Sequence, residues 1–156
     1  MFKFLFVSLS FVFLIHSCIP ENRLYSERQE LSPNLEWVGS DVKTFKFSTK
    51  EADLNYTVNF ELRFVTGYPF KTLNVLADII SPSGEVIQKE YTLKIKDDEG
   101  NYIGEAGMDL WDSKHLVDTQ LNLQEIGEYT IKLTHNMAMD PLPYVMELGV
   151  IIDKNK

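Results

Sequence analysis

Cys18 is the residue whose surroundings point to the most specific chemistry in this sequence. It follows Ile15, His16 and Ser17, so an aliphatic residue lies three places before a cysteine and a small residue lies directly before it. This spacing is typical of a bacterial lipobox, in which the thiol takes a thioether-linked diacylglyceride and the cysteine becomes the first residue of the mature chain. His16 is an unusual occupant of its position. We predict lipid attachment at Cys18.

The segment before Cys18 has the features of a secretory signal peptide. Lys3 supplies a positive charge ahead of an apolar run over residues 4–15, which is shorter than the roughly 20 residues needed to span a bilayer. The chain has no second cysteine, and lipidation would consume a thiol that is a liability in an oxidising compartment. We predict that residues 1–17 are a cleaved signal peptide. An ordinary signal peptide ending near an unmodified cysteine is the alternative.

Other residues that could do chemistry form no recognised site in the sequence. His115 and His135 lie outside any HExxH, CxxC or two-histidine arrangement, so we predict no metal site. The acidic turn at residues 97–100 lacks the alternating oxygen ligands of a calcium loop and is typical of a hairpin turn. The motifs GxSxG, Walker A and GxGxxG are absent. We expect no catalytic residue, no cofactor and no enzyme activity, with an envelope hydrolase built on an unseen carboxylate pair as a minor alternative.

Four aromatic residues could together form a binding face. Exposed aromatic side chains supply contact area at a low entropic cost, which suits a sugar or a peptide. Packing in the core is the other use open to them. The four candidates are Trp37, Tyr68, Tyr102 and Trp111.

Charge and length limit the classes of partner. The chain has 15 Lys and Arg against 23 Asp and Glu, a formal net charge of −8, and loss of Lys3 with the signal peptide makes it more negative. This balance disfavours nucleic acid and anionic lipid surfaces as partners. The acidic residues are spread along the chain, which is typical of a solvated surface.

Alternation of apolar and polar residues predicts β-strands along most of the chain. The clearest runs from Leu54 to Phe64 without a miss. The turn at residues 81–84 predicts a hairpin between the apolar run at 73–80 and the strand that follows. Residues 110–126 show the least regular pattern. Further strands are predicted at residues 42–47, 129–134 and 144–152, the last with Tyr144, Met146, Leu148, Val150 and Ile152 on one face.

Short strands separated by turns, with no helix-length periodic stretch, predict an all-β protein. We expect a single antiparallel β-sandwich of jelly-roll-like type. Residues 19–36 are polar and lack a sustained apolar period, so we expect order to begin near Trp37. The predicted organisation is a signal peptide at 1–17, a lipidated tether at 18–36 and a β-sandwich domain at 37–156.

Several short stretches occur in the order found in one known family. They lie at residues 62–63, 68–73, 98–107, 127–129, 136–137, 142, 145 and 148–150. Through them, residues 61–153 resemble the GldH-type gliding-motility lipoproteins of the Bacteroidetes. The sequence departs from the family at Ala138, where the family typically has Arg after a methionine, and at Asn74, where it tends to have a larger apolar residue.

The resemblance implies a cell-envelope lipoprotein needed for gliding over surfaces and tied to machinery that shares components with type IX secretion. We expect a non-enzymatic accessory component that is anchored to the membrane by its lipid and acts through protein–protein contacts. A glycan-binding surface lipoprotein is the alternative. Ile19 is not the aspartate that retains lipoproteins in the inner membrane of enteric bacteria, so we expect the outer membrane, facing the periplasm. Glu21 hints at a surface-export signal, which leaves surface exposure open.

Overall fold

The computed structural model describes residues 20–155, which form eleven β-strands and no helix. The predicted signal peptide and Cys18 lie outside these residues. The strands are β1 (Arg23–Glu30), β2 (Glu36–Trp37), β3 (Lys43–Thr49), β4 (Leu54–Val65), β5 (Thr72–Ile80), β6 (Val86–Lys94), β7 (Glu105–Ala106), β8 (Leu110–Leu123), β9 (Gly127–His135), β10 (Leu142–Pro143) and β11 (Val145–Lys154).

Two antiparallel sheets form a sandwich. One has the strand order β1-β11-β4-β8-β7 and the other has the order β3-β9-β5-β6, while β2 and β10 form a separate two-stranded sheet. The eight long strands are arranged as in a jelly roll, where two Greek keys build a double sheet. Buried side chains from both sheets form one core cluster. The predicted all-β sandwich is confirmed.

The strands with regular alternation form where the sequence predicts them. In β4 the residues Tyr56, Phe60 and Phe64 are almost fully buried, since every second side chain of a strand points to the same face. Strands β5 and β6 pair as the predicted hairpin, with Ile80 opposite Val86. The turn between them is closed by hydrogen bonds around Ser81.

The last strand departs from its predicted alternation. A β-bulge between Val145 and Glu147 changes which side chains face inward, because an extra residue on one strand reverses the alternation beyond it. Val145 and Leu148 are therefore in the core, whereas Met146 is only partly buried and Tyr144 is exposed. Tyr144 also has a positive φ of 65°, which ends the regular extended backbone just before β11.

The folded part of the chain begins well before Trp37, so the expected tether at 18–36 is wrong. Strand β1 pairs with β11 from Arg23 to Glu30, and Tyr25 packs its ring 5.6 Å from that of Phe47. The sequence of β1 is mostly polar, because β1 is an edge strand that has one face in solvent and contributes few side chains to the core. Pairing with an existing sheet, rather than its own hydrophobicity, stabilises it.

The two ends of the sandwich differ in how the strands are connected. The anchor end, where β1 begins, carries the tight turns at residues 50–53, 81–85 and 124–126. The opposite loop end carries the long connections at residues 31–42, 66–71, 95–109 and 136–144. The β2–β10 pair lies at the loop end and covers the core there, where Trp37 and Leu142 are fully buried.

Candidate functional site

A network of ion pairs lies on the outer face of the β1-β11-β4-β8-β7 sheet. Arg63 on β4 donates to both carboxylate oxygens of Asp112 on β8, each at 3.0 Å, and to Glu147 on β11 at 3.0 Å. Arg28 on β1 lies 3.2 Å from Asp112, from Glu147 and from Glu61 of β4. Two guanidinium groups and three carboxylates thus join four strands. We call these five residues the charged face.

Gly149 allows Arg28 to reach Glu61 across β11. In the strand register Gly149 lies between these two residues, with Arg28 on one side and Glu61 on the other. A Cβ added at Gly149 would lie 3.2 Å from both the Cβ and the Oε2 of Glu61, which is tighter than ordinary contact. The missing side chain therefore leaves the gap through which the ion pair forms.

Four residues of the charged face, all but Glu147, line a shallow depression of about 380 Å³ together with Gly104, Glu105, Ser113 and Lys114. Hydrogen bonds from Arg63 hold the pKa of the Asp112 carboxyl below its usual range, and the same bonds raise the pKa of the Arg63 guanidinium. Both groups stay ionised at neutral pH and bind each other. The ion pairs join β4 to its neighbours across the sheet face, and both guanidinium groups are already paired with carboxylates.

The charged face is expected to contribute to stability in a pH-dependent way. In a double-mutant cycle of Arg63→Met and Asp112→Asn, urea unfolding should give a coupling of about 0.5–1 kcal/mol at neutral pH, since the pair is partly exposed. The pKa of Asp112 is lower in the folded chain, so this stability is present above the ordinary value of 3.8 and is lost as the pH falls through the lowered pKa. Equal coupling at neutral pH and at a pH well below 3.8 would contradict the account.

Gly104 lies close against the backbone of Asp112, a residue of the charged face. Its φ is +140°, and an added Cβ would lie 2.4 Å from the backbone oxygen of Asp112. Real Cβ atoms do not approach backbone that closely, so the strand pair β7–β8 has to move if any side chain is introduced. Gly104 belongs to the stretch 98–107 on which the family resemblance partly rests.

Gly104→Ala is expected to destabilise the domain by about 2–4 kcal/mol, because it adds overpacking to backbone strain. Gly100→Ala is the matched control, since Gly100 also has a positive φ, of 93°, but an added Cβ there meets open space. Gly100→Ala should cost only the strain, about 1–2 kcal/mol. Chemical denaturation of both variants measures the difference, and equal losses would show that the close approach to Asp112 is unimportant.

Two of the four aromatic residues predicted to form a binding face are in the core. Trp37 and Tyr68 are fully buried, so neither can contact a ligand. Trp37 donates its indole N–H to the carbonyl of Asp41 at 2.9 Å, and burial raises the pKa of the Tyr68 hydroxyl. Their amphipathic rings fill the core at the loop end. The prediction of a four-residue binding face is wrong, because the sequence pattern did not indicate how deeply Trp37 and Tyr68 are buried.

Tyr102 and Trp111 lie side by side, with ring centroids 5.2 Å apart. Both are partly buried against the core. The Tyr102 hydroxyl accepts from the backbone N–H of Gly67 at 2.7 Å, and Trp111 donates to the Thr66 hydroxyl at 3.1 Å. Lys96 lies over the Tyr102 ring, with its Nζ 4.8 Å from the centroid. The polar atoms of this pair are engaged within the loop end.

The two histidines have structural surroundings. His115 Nε2 lies 2.8 Å from the hydroxyl of Ser113, and burial lowers the pKa of His115, so the ring is neutral at neutral pH. His135 is buried against the edge of Trp37, with ring centroids 5.4 Å apart, and its Nε2 lies 3.6 Å from Asp140. Between residues 20 and 155, no three His, Cys, Asp or Glu side chains are grouped to hold a metal ion.

Exposed apolar side chains are concentrated at the loop end, a feature that sequence reasoning missed. The carbonyl of Leu35 accepts from the N–H of Tyr144 at 2.6 Å, and the ring of Tyr144 lies over Gly67. Met108 is fully exposed at the turn between β7 and β8. The exposed large hydrophobic residues at this end are Leu35, Val38, Val42, Ile103, Met108, Leu110, Met139 and Tyr144.

We call Leu35, Met108, Leu110 and Tyr144 the apolar end. Val65, at the end of β4, is opposite Leu110 and donates to the carbonyl of Tyr144, whose N–H in turn donates to the carbonyl of Leu35. Met108 lies in the turn just before Leu110, so all four residues lie at this end. The sequence feature that could have indicated an exposed apolar surface was Met108, because a large side chain in a Gly-Met-Asp turn has nothing to bury it. The alternation at residues 144–152 pointed the other way, since it placed Tyr144 in the core.

The chain is similar to lipoproteins of one family. The family model described as GldH lipoprotein matches residues 23–152. A relative from Christiangramia forsetii described as "Gliding motility lipoprotein GldH homolog" is 20% identical over 157 residues, which cover 96% of this chain and 94% of the relative. In the part of the chain that the structure describes, no helix is long and apolar enough to cross a membrane.

Solved structures of viral particles share a distant likeness. A chain of infectious bursal disease virus, Gt strain, matches 82% of this chain and 30% of its own length, with a TM-score of 0.40 and 14% identity. A chain of the T13 particle of the same virus matches 94% of this chain and 35% of its own, with a TM-score of 0.40 and 12% identity. Likenesses this distant do not bear on function. The family model, in contrast, matches most of the chain, and this protein belongs to the GldH lipoprotein family.

Proposed function

We propose that this lipoprotein is a non-enzymatic accessory component of the gliding apparatus and of the linked type IX secretion machinery, acting through protein–protein contacts. Its membrane attachment is the lipid on Cys18, which the lipobox spacing supports. Family membership supports the link with gliding. The charged face satisfies its own charges, which favours a scaffold role over a chemical one.

The observation that carries the protein-contact part is the apolar end. Soluble domains expose isolated apolar side chains everywhere, but contiguous exposed apolar surface marks contact sites. Here most of the exposed large hydrophobic side chains of residues 20–155 lie at one end. The long connections lie at the same end, and loops held by a rigid scaffold are where binding residues concentrate.

Backbone strain at the apolar end supports the same reading. Leu35 has a φ of 58° and Tyr144 a φ of 65°, both in the left-handed region that large side chains rarely adopt. Both residues are nonetheless exposed for large apolar side chains, Leu35 at 37% and Tyr144 at 43%. Strain that stability does not explain is typical of sites kept for binding. The partner is a protein that covers these side chains.

Deletion of the gene, followed by complementation, tests the proposed function. We expect the deletion to abolish colony spreading and the wild-type gene to restore it. A Cys18→Ala protein should leave the membrane fraction and fail to restore spreading, because two or three acyl chains supply stable anchoring. Unchanged spreading after deletion would remove the link with gliding, and a fully membrane-bound Cys18→Ala protein would remove the lipid attachment.

Glycan binding is the competing function, and Trp111 is the residue that tests it. Of the aromatic candidates, Tyr102 and Trp111 keep partial exposure, so a sugar would have to stack on this pair. A glycan array probed with the purified protein, in which binding is abolished by Trp111→Ala, would favour glycan recognition. We expect no binding, because the polar atoms of the pair already bind Thr66 and Gly67.

We propose that the lipid holds the protein in the outer membrane, facing the periplasm. Ile19 supports this position, since it is not the aspartate that retains lipoproteins in the inner membrane of enteric bacteria. Membrane fractionation combined with protease treatment of intact cells checks it. We expect protection in intact cells and digestion after the outer membrane is opened, whereas digestion in intact cells would indicate surface exposure.

A further inference from the structure

The chain between Cys18 and the folded domain is very short. Asn22 is already bound to the end of β11, because its carbonyl accepts from the N–H of Lys154 at 2.8 Å and its side chain donates to the Lys154 carbonyl at 3.1 Å. The N–H of Arg23 also donates to the carbonyl of Pro20 at 2.9 Å, which closes a turn. Residues 19–21 are therefore all that separates Cys18, the proposed site of lipid attachment, from Asn22 at the end of the sheet.

This length fixes which end of the sandwich is near the membrane. The four steps from the Cα of Cys18 to the Cα of Asn22 reach at most about 14 Å, at ~3.3–3.6 Å per residue. Strand β1 begins at the anchor end and runs away from it, so that end is held beside the bilayer. The twelve residues of β4 span the sandwich, which places the loop end about 40 Å away along the strands.

The anchor end carries apolar side chains on a rigid pair of turns. Ile126 is 63% exposed and Val86 is 55% exposed. Glu125 accepts from the backbone N–H and the hydroxyl of Ser83, at 2.9 and 2.6 Å, which joins the two turns. A Cβ added at Gly127 would lie 2.9 Å from Pro82, so the turns are in direct contact as well.

We propose that the anchor end rests on the lipid surface of the membrane in which the protein is anchored, with Ile126 and Val86 entering the headgroup region and the apolar end pointing away. The membrane is the surface that meets the anchor end, because the short chain after Cys18 keeps this end permanently close to the lipid. This inference rests on the proposed lipid attachment at Cys18. It deepens the proposed function by leaving the apolar end free for a protein.

Charge at the anchor end selects the kind of lipid. The carboxylates of Glu21, Glu51, Asp53, Glu85 and Glu125 lie there with only Lys50 and Lys154 beside them in these turns and at the end of β11, and Lys154 already pairs with Glu51. With this balance of charges, the anchor end is not attracted electrostatically to an anionic lipid surface. The surface that fits is zwitterionic, such as phosphatidylethanolamine, and the contact is apolar rather than electrostatic.

Fluorescence quenching from the bilayer tests the orientation. Glu85→Cys and Met108→Cys each place one free thiol at an exposed position, at the anchor end and at the apolar end. The lipidated proteins are purified from the host envelope, labelled with a thiol-reactive fluorophore and reconstituted into phosphatidylethanolamine–phosphatidylcholine vesicles that contain a headgroup-nitroxide lipid. We expect several-fold stronger quenching at position 85 than at position 108. Equal quenching, or stronger quenching at position 108, would overturn the inference.

Two controls separate the possible failures. Ile126→Thr should reduce the quenching at position 85, whereas Leu116→Thr, at a side chain that is 60% exposed on the middle of β8, should leave it unchanged. No effect of Ile126→Thr would overturn the apolar contact. Wild-type protein should take no label, since its only thiol carries lipid. Labelling of the wild type would instead refute lipid attachment at Cys18, and the inference would fall with it.

Discussion

Replacing Leu35 and Tyr144 together by Asn is expected to abolish colony spreading while leaving the domain folded and at least as stable. Asn adopts the left-handed backbone region more readily than Leu or Tyr, so each change relieves strain at φ values of 58° and 65°. We expect the free energy of unfolding to stay the same or rise by up to about 1 kcal/mol per substitution. The two exposed apolar side chains are lost, and with them the surface that a protein partner would cover.

This variant is informative because spreading should be lost while the free energy of unfolding stays the same or rises. A residue kept for stability loses function when the domain is weakened, whereas a binding residue is often replaced at a gain in stability. Leu116→Thr is the control, since it removes an exposed apolar side chain from the middle of the sheet face. Spreading should survive Leu116→Thr. Normal spreading of the Leu35→Asn, Tyr144→Asn variant would show that the apolar end binds nothing that gliding requires.

Trp37→Ala is expected to destabilise the domain by about 3–5 kcal/mol, the usual cost of truncating a buried Trp or Phe. Trp37 is fully buried, its N–H is bonded to Asp41, and its ring packs on His135. For a domain of this size, 1 kcal/mol shifts Tm by roughly 2–4 °C, so thermal unfolding should begin about 6–20 °C lower. Circular dichroism during heating measures the shift.

Trp37→Phe is the matched control, because it keeps most of the buried volume and removes only the hydrogen bond to Asp41. It should cost clearly less than Trp37→Ala, about 1–3 kcal/mol. If Trp37→Ala left Tm unchanged but removed binding to a ligand, Trp37 would be part of a binding face and its place in the core would be wrong. If both variants lost stability equally, the hydrogen bond rather than the packing would stabilise this end.

The fold could be predicted where one face of a strand is buried and the other is in solvent. Strand β4 shows this pattern in full, and the β5–β6 hairpin follows from its turn residues. β1 could not be predicted, because an edge strand contributes few buried side chains and depends on its partner β11. The alternation of apolar and polar residues in β8 is irregular because the register of β8 against β4 shifts around Val58 and Asn59.

The candidate sites could not be predicted because they depend on contacts between distant parts of the chain. Arg63 and Asp112 become a pair only when β4 and β8 align, and the gap at Gly149 is visible only across three strands. The apolar end combines Leu35, Met108 and Tyr144 from separate loops, whose exposure no alternation encodes. The lipobox is different, since recognition of Cys18 depends on local sequence.

Site-specific photo-crosslinking in gliding cells tests most directly whether the apolar end binds the gliding machinery. A photoreactive amino acid is placed at position 108, with position 85 at the anchor end as the matched site, in the full-length lipoprotein. We predict that position 108 crosslinks to one protein whose own deletion stops gliding, and that position 85 does not. No crosslink to such a protein at position 108, or the same yield at both positions, would contradict the account.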